Sequence, residues 1–80
     1  MGISNAVRNR INDLCEEKDI TINKLCYSSA ILQQTVSAFM TGTSESMGIV
    51  NLKKLIDGLD MSITEFFDTD TFRNLEQEIK

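Results

Sequence analysis

The chain has no histidine, no proline and no tryptophan, and only two cysteines and four glycines in 80 residues. Without histidine the commonest general base is missing. No Ser-His-Asp or Cys-His set can form, and neither GxGxxG nor GxxxxGK[ST] occurs. No carboxylate pair has an evident pocket, so an enzyme is not expected. Cys15 and Cys26 alone cannot supply the four ligands of a zinc site. Under reducing conditions they read as small buried hydrophobes, with a thiol redox pair as the lesser alternative. No metal, cofactor or small-molecule ligand is implied. No apolar run approaches the roughly 18 residues of a membrane span. The opening MGISNAVRNR lacks the apolar stretch of a secretory signal. The expected location is therefore cytoplasmic. Strand signals are missing too: there is no alternating Val/Ile/Thr/Tyr run and no Asn-Gly turn.

What is present favours one all-α domain. Hydrophobic residues make up 41% of the chain, enough for a core, although a chain this short needs a compact or shared one. From Ser4 to Asp19, Val7, Ile11, Leu14 and Cys15 recur at helical spacing, with Ser4 as the expected N-cap. Thr21 is the next N-cap, before a helix of about two turns that buries Leu25 and Cys26. AILQQTVSAFMTG, residues 30 to 42, contains no charge. On a helical wheel Gln33, Gln34, Ser37, Ala38 and Thr41 share a small, polar face. Leu32, Thr35, Val36 and Phe39 fall on the opposite, buriable side, and Gly42 is a natural stop. GTSESMG, residues 42 to 48, reads as a loop. Ile49, Leu52, Leu55, Ile56 and Leu59 form the inward stripe of a fourth helix, whose Lys53 and Lys54 face water. Ser62 and Glu65 form a capping box that opens a short fifth helix. Only one of Phe66 and Phe67 can point inward there; the other is available for a subunit interface. Phe72, Leu75 and Ile79 mark a short sixth, amphipathic helix. It either packs back on the chain or joins a dimer contact.

The stretch ITINKLCYSSAILQQTVSAFMTG resembles the lambda-repressor-like (XRE) family of helix-turn-helix DNA-binding domains. The matching positions are Ile20, Thr21, Leu25, Cys26, Ala30, Ile31, Leu32, Gln33, Val36, Phe39 and Gly42, without a gap. LKKLIDGLDMSITEFF is similar to the family's fourth and fifth helices, so the resemblance runs from about Val7 to Phe67. It implies a compact five-helix bundle over residues 1–68, with residues 69–80 as an appended amphipathic tail. It further implies that the third helix enters the major groove of double-stranded DNA. Gln33, Gln34, Ser37 and Ala38 would then face bases, since a glutamine amide matches adenine N6 and N7 and an alanine can meet a thymine methyl. Thr21, Asn23 and Lys24 at the start of the second helix, with Thr43 and Ser44 in the following loop, would meet phosphate. The implied function is a sequence-specific transcriptional regulator, a repressor acting as a homodimer on a two-fold operator, with no ligand-sensing domain expected after the fifth helix.

This chain departs from the family pattern at several of these positions. Ala30 replaces the turn glycine, which costs about 1 kcal/mol if φ there is positive. Leu32 replaces a Ser or Thr cap. Ile22 and Ala38 stand where long polar side chains are common, and Glu45 where basic residues are. The net charge of −4 opposes DNA binding. Its distribution is uneven: residues 1–60 carry −1 and residues 61–80 carry −3, and Lys24 is the only charge between Ile20 and Ser44. Arg8, Arg10 and Lys18 are candidates to border the DNA face. Weak, salt-sensitive binding per monomer is the expectation. The alternative is a protein-interaction module on the same scaffold (an antitoxin, antirepressor or adaptor).

Overall fold

The computed structural model describes residues 2–79; Met1 and Lys80, the outer ends of the two expected segments, lie outside them. The described residues form six α-helices and no strand. They are α1 (Ile3–Glu17), α2 (Ile22–Ser28), α3 (Gln33–Met40), α4 (Ile49–Gly58), α5 (Ile63–Phe67) and α6 (Asp70–Arg73). The expected inward residues of α1, α2 and α3 meet in one core: Val7, Ile11, Leu14, Cys15, Leu25, Cys26, Val36 and Phe39. Leu55, Ile56, Leu59 and Phe66 complete it, and Met47 adds a contribution from the loop.

With no proline available to break helices, chain reversal falls to left-handed residues. Asp19, Ala30 and Asp60 have φ of 55°, 55° and 59°. Each follows a helix, and the residue after it returns its amide to a carbonyl five positions back. Ile20 donates to Cys15 at 2.9 Å, Ile31 to Cys26 at 3.2 Å and Met61 to Ile56 at 3.4 Å. Ile20, Ile31 and Met61 then pack against the core. Each of these three ends thus combines the Schellman hydrogen bond with an apolar anchor. The same job falls to Gly42 after α3, with φ of 86° and no Cβ strain. At Ala30 the methyl does meet a positive φ, so the cost of about 1 kcal/mol applies.

Capping residues behave as expected at two helices. The Thr21 hydroxyl accepts the Lys24 amide at 3.1 Å, and Ser62 and Glu65 form the reciprocal box. At α1 the expectation fails. The helix starts at Ile3 with Gly2 as N-cap, and Ser4 is already helical, its hydroxyl donating to the Glu45 carbonyl at 2.7 Å. Ile49 is a second correction: it lies on the inward side of the wheel but is 82% exposed. It is the first residue of α4, and a helical Cβ leans toward the N-terminus, past the end of the core. Phe66 is buried and Phe67 half-buried. In the tail only residues 70 to 73 are helical. Phe72 turns inward, its ring 4.8 Å from that of Phe67 and 6.1 Å from that of Phe66, while Ile79 remains exposed.

Helices α2 and α4 approach closely at Gly58. A Cβ there would lie 2.0 Å from Ser29 Oγ and 3.2 Å from Leu25 Cδ1. Ser29 Oγ is itself buried without a hydrogen-bond partner. In an open helix Gly→Ala stabilises by about 1 kcal/mol. Here the sign is expected to reverse, with Gly58→Ala costing about 2 kcal/mol through overpacking. Ser29→Ala should be neutral or stabilise by up to about 1 kcal/mol, because it removes an unpaired buried hydroxyl. In urea denaturation the double variant is expected to recover most of the loss, a coupling of about 1–2 kcal/mol. Strict additivity would show that the two positions do not press on each other.

Candidate nucleic-acid interface

The surface of α2, the turn and α3 is built from the start of one helix and the polar face of the next. Thr21, Asn23 and Lys24 are all exposed at the start of α2. The Thr21 oxygen is occupied by its cap bond, but its proton is left to donate. Residues 29 to 32 make the turn. Ile31 anchors it inward, while Leu32, the N-cap of α3, has extended backbone (φ −63°, ψ 130°) and makes no side-chain cap. The wheel put Leu32 on the buriable face. As a non-helical residue it leaves that face, and 74% of it is exposed.

Gln33 Nε2 donates to Asn23 Oδ1 at 2.6 Å, which ties the first turn of α3 to α2. The family resemblance assigns these two residues separately, Gln33 to bases and Asn23 to phosphate. The bond fixes the direction of the Gln33 amide and leaves its carbonyl and second N–H open. It leaves both Asn23 N–H groups open as well. Gln33, Gln34, Ser37, Ala38, Thr41 and Thr43 line one open depression of about 380 Å³. All four expected base-facing residues therefore share one surface. Thr41 is an addition to the expected set. Its hydroxyl donates to the Ser37 carbonyl at 2.9 Å and lies 3.3 Å from that of Thr43. Ser44 stands apart, because its hydroxyl donates to the Ser46 carbonyl at 2.7 Å.

Arg8 and Arg10 do not border this surface as free cations. Arg8 donates to the carbonyls of Phe39 (2.6 Å) and Ser44 (3.1 Å) and to Asn5 Oδ1 (2.7 Å). Its guanidinium lies 4.7 Å from the centre of the Phe39 ring. It therefore holds the C-terminal end of α3 and the start of the loop together, where a cation also suits the helix dipole. Arg10 does the same at α5, donating to the carbonyls of Phe66 (2.8 Å) and Glu65 (3.1 Å). Lys53 pairs with Asp57 on its own helix, out in solvent. Lys24 is left as the cationic side chain on the α2–α3 surface. Cys15 and Cys26 are buried. Burial pushes both thiols up, and Cys26 beside Cys15 pushes that one further, so neither favours the reactive thiolate. Among the described residues no helix is long and apolar enough to cross a membrane.

A family model described as a Cro/C1-type helix-turn-helix DNA-binding domain matches residues 10–71. No curated protein and no solved structure matches the chain.

The Arg8 tether is testable by itself. Arg8→Ala is expected to cost about 2 kcal/mol in chemical denaturation, since it removes charge-assisted bonds from a partly buried site. Native-state amide exchange should accelerate first at residues 41 to 44. Uniform acceleration over the whole chain would mean that Arg8 supports the core in general and not the end of α3.

Proposed function

The chain belongs to the Cro/C1-type helix-turn-helix DNA-binding family, and from that premise we propose that it is a sequence-specific transcriptional repressor whose α3 occupies the major groove. The observation that carries this reading is the shared depression on α3, uncharged and lined by Gln33, Gln34, Ser37 and Ala38. Glutamine amides there can pair with adenine edges, and Ala38 can meet a thymine methyl. Thr21, Asn23, Lys24 and Thr43 flank the depression with donors for phosphate, which set the register without reading sequence. The Ser44 side chain would have to leave Ser46 to join them. Repression needs only that the bound protein occupy its site.

Selection of bound sequences from a random DNA library is the deciding experiment. An enriched two-fold motif is expected, and the protein should reduce run-off transcription from a template carrying it. Gln33→Ala and Gln34→Ala should each relax preference at one base pair per half-site, at a cost of about 1–3 kcal/mol. With Arg8 and Arg10 tied to carbonyls, few cations are left for phosphate. The salt dependence should accordingly be shallow, with a log–log slope on the order of −2 for a dimer. If no motif emerges even at low salt, the reading fails and the acidic protein-interaction module takes its place.

The repressor is proposed to act as a homodimer. Phe72 turns back onto Phe67, so the tail is a poorer dimer surface than its sequence implied. A better one is the apolar face of α4 and α5, where Ile49, Val50 and Ile63 are 82%, 66% and 47% exposed. Ile49 and Leu52 are shared by two grooves: one continues through Val7, Phe39 and Met47, the other through Ile56, Ile63 and Phe67. An isologous contact would let each Ile49 enter a groove of the other copy. Sedimentation of Ile49→Lys is expected to give a folded monomer with weakened operator binding. An unchanged dimer would remove this surface from consideration.

A further inference from the structure

The tail after α5 folds back along α1. Phe72 packs on Phe66 and Phe67 and lies in a depression with Ala6, Asn9 and Asp13 of α1. Leu75 is half-buried and gives a second apolar anchor. Further on, the chain reaches the start of α1, where a Cβ on Gly2 would meet Glu78 Oε2 at 3.4 Å. Helix α1 has no side-chain cap of its own, and its positive end favours a carboxylate there. Glu78 shares a depression of about 250 Å³ with Gly2, Asn5, Arg8, Gly42 and Glu45. Arg8 is the single cation of that depression and Glu45 and Glu78 are its two carboxylates, a net −1. Gly42 joins Thr41 to Thr43, and both threonines line the uncharged depression on α3. The tail carboxylate and the candidate DNA surface are therefore neighbours across the loop that follows α3.

On the proposed reading, a DNA phosphate approaches Thr43. With the tail docked it would approach into a negative field, unscreened at low salt over this distance. We propose that the tail is an autoinhibitory element of DNA binding. Docked on α1, it holds Glu78 beside the loop of residues 42 to 45, and it swings away before the DNA backbone settles there. The docking is built to reverse. Helix α6 has only four residues, and Phe72 and Leu75 are no more than half-buried. Segments with so little buried apolar contact open at low free energy. DNA binds the released form, so the apparent affinity is reduced to the extent that the free protein keeps its tail docked. The inference rests on α3 lying in the major groove with Thr43 at phosphate.

Three variants of the full chain separate a docked tail from bulk charge. Leu75→Ser keeps every charge and loosens the anchor. Glu78→Gln keeps the anchor and removes the carboxylate. Asp60→Asn removes a charge that lines neither depression. In fluorescence anisotropy with the selected operator at about 50 mM salt, Leu75→Ser and Glu78→Gln are each expected to bind about threefold tighter than wild type, and Asp60→Asn less than about 1.5-fold tighter. The gain of Glu78→Gln should vanish at about 500 mM salt, where the charge is screened. The amide heteronuclear NOE of residues 76 to 79 reads docking directly. It should fall when operator saturates the wild-type protein, and it should already be low in free Leu75→Ser. The inference is overturned if residues 76 to 79 keep their NOE in the complex, if Asp60→Asn gains as much as Glu78→Gln, or if Leu75→Ser binds no better than wild type. Should Leu75→Ser fail to fold, Glu78→Gln and the wild-type NOE decide. Failure of the parent reading would look different: neither wild type nor any variant would bind a duplex even at low salt, and the inference would fall with it.

Discussion

Two arginines on α1 hold the ends of two helices too short to stand alone. Isolated helices under about a dozen residues are marginal in water, and α3 has eight residues and α5 five. Arg8 takes the Phe39 carbonyl at the end of α3, and Arg10 takes the Phe66 carbonyl at the end of α5. Both guanidiniums also face the ring of the residue whose carbonyl they hold. Each arrangement satisfies orphan carbonyls, sets a cation against the negative end of a helix and adds a cation–π contact. The planar fork is what allows several acceptors at once, which a lysine could not serve in the same way. The orientation of α3 therefore depends on α1 at one end, and on the Ala30–Ile31 turn and the Asn23–Gln33 bond at the other.

Anchored at both ends, α3 can keep an uncharged outer face without needing surface ion pairs for stability. Val36 and Phe39 secure it to the core, and Gln33, Gln34, Ser37 and Ala38 are left to one open surface. The division of labour has a cost in charge. Two of the cations that could have met phosphate, Arg8 and Arg10, are tied to carbonyls of the fold, and Lys53 is engaged with Asp57. From the sequence, Arg8 and Arg10 are candidates to border the DNA face. In the fold they are structural groups.

Much of the architecture was legible because local chemistry and global packing agree. The stripes of α1 and α3, the Thr21 cap, the Ser62–Glu65 box and Gly42 each announce themselves through one residue type at one spacing. The strain at Ala30 could also be anticipated from the turn it occupies. What could not be read depends on where an element ends relative to the core. Ile49 has the right angle on the wheel but sits one turn too early, and Leu32 leaves the wheel because it is not helical. Ser4 lost the capping role to Gly2 when α1 began a turn earlier than its apolar stripe. Phe72 found its partners through a tail whose helix is only four residues long. The Asn23–Gln33 bond joins residues ten apart across a turn. No periodicity encodes it, although two amides at facing helix starts are a signal that could have been followed.

Low positive charge is usually held against a DNA-binding domain, but its effect falls unequally on the two kinds of binding. Non-specific affinity comes almost wholly from phosphate neutralisation, whereas discrimination comes from base edges. A surface with one lysine and several amides and hydroxyls loses most of the first and keeps the second. On the proposed reading, such a protein binds its operator modestly but is held even less by the excess of other sequence. Because competing sites vastly outnumber operators, the ratio matters more than the absolute affinity. Modest affinity per protomer then places the weight on the pairing of two copies. On the same reading, the exposed apolar face of α4 and α5 has the composition to provide it, since it would meet its counterpart with little charge to desolvate.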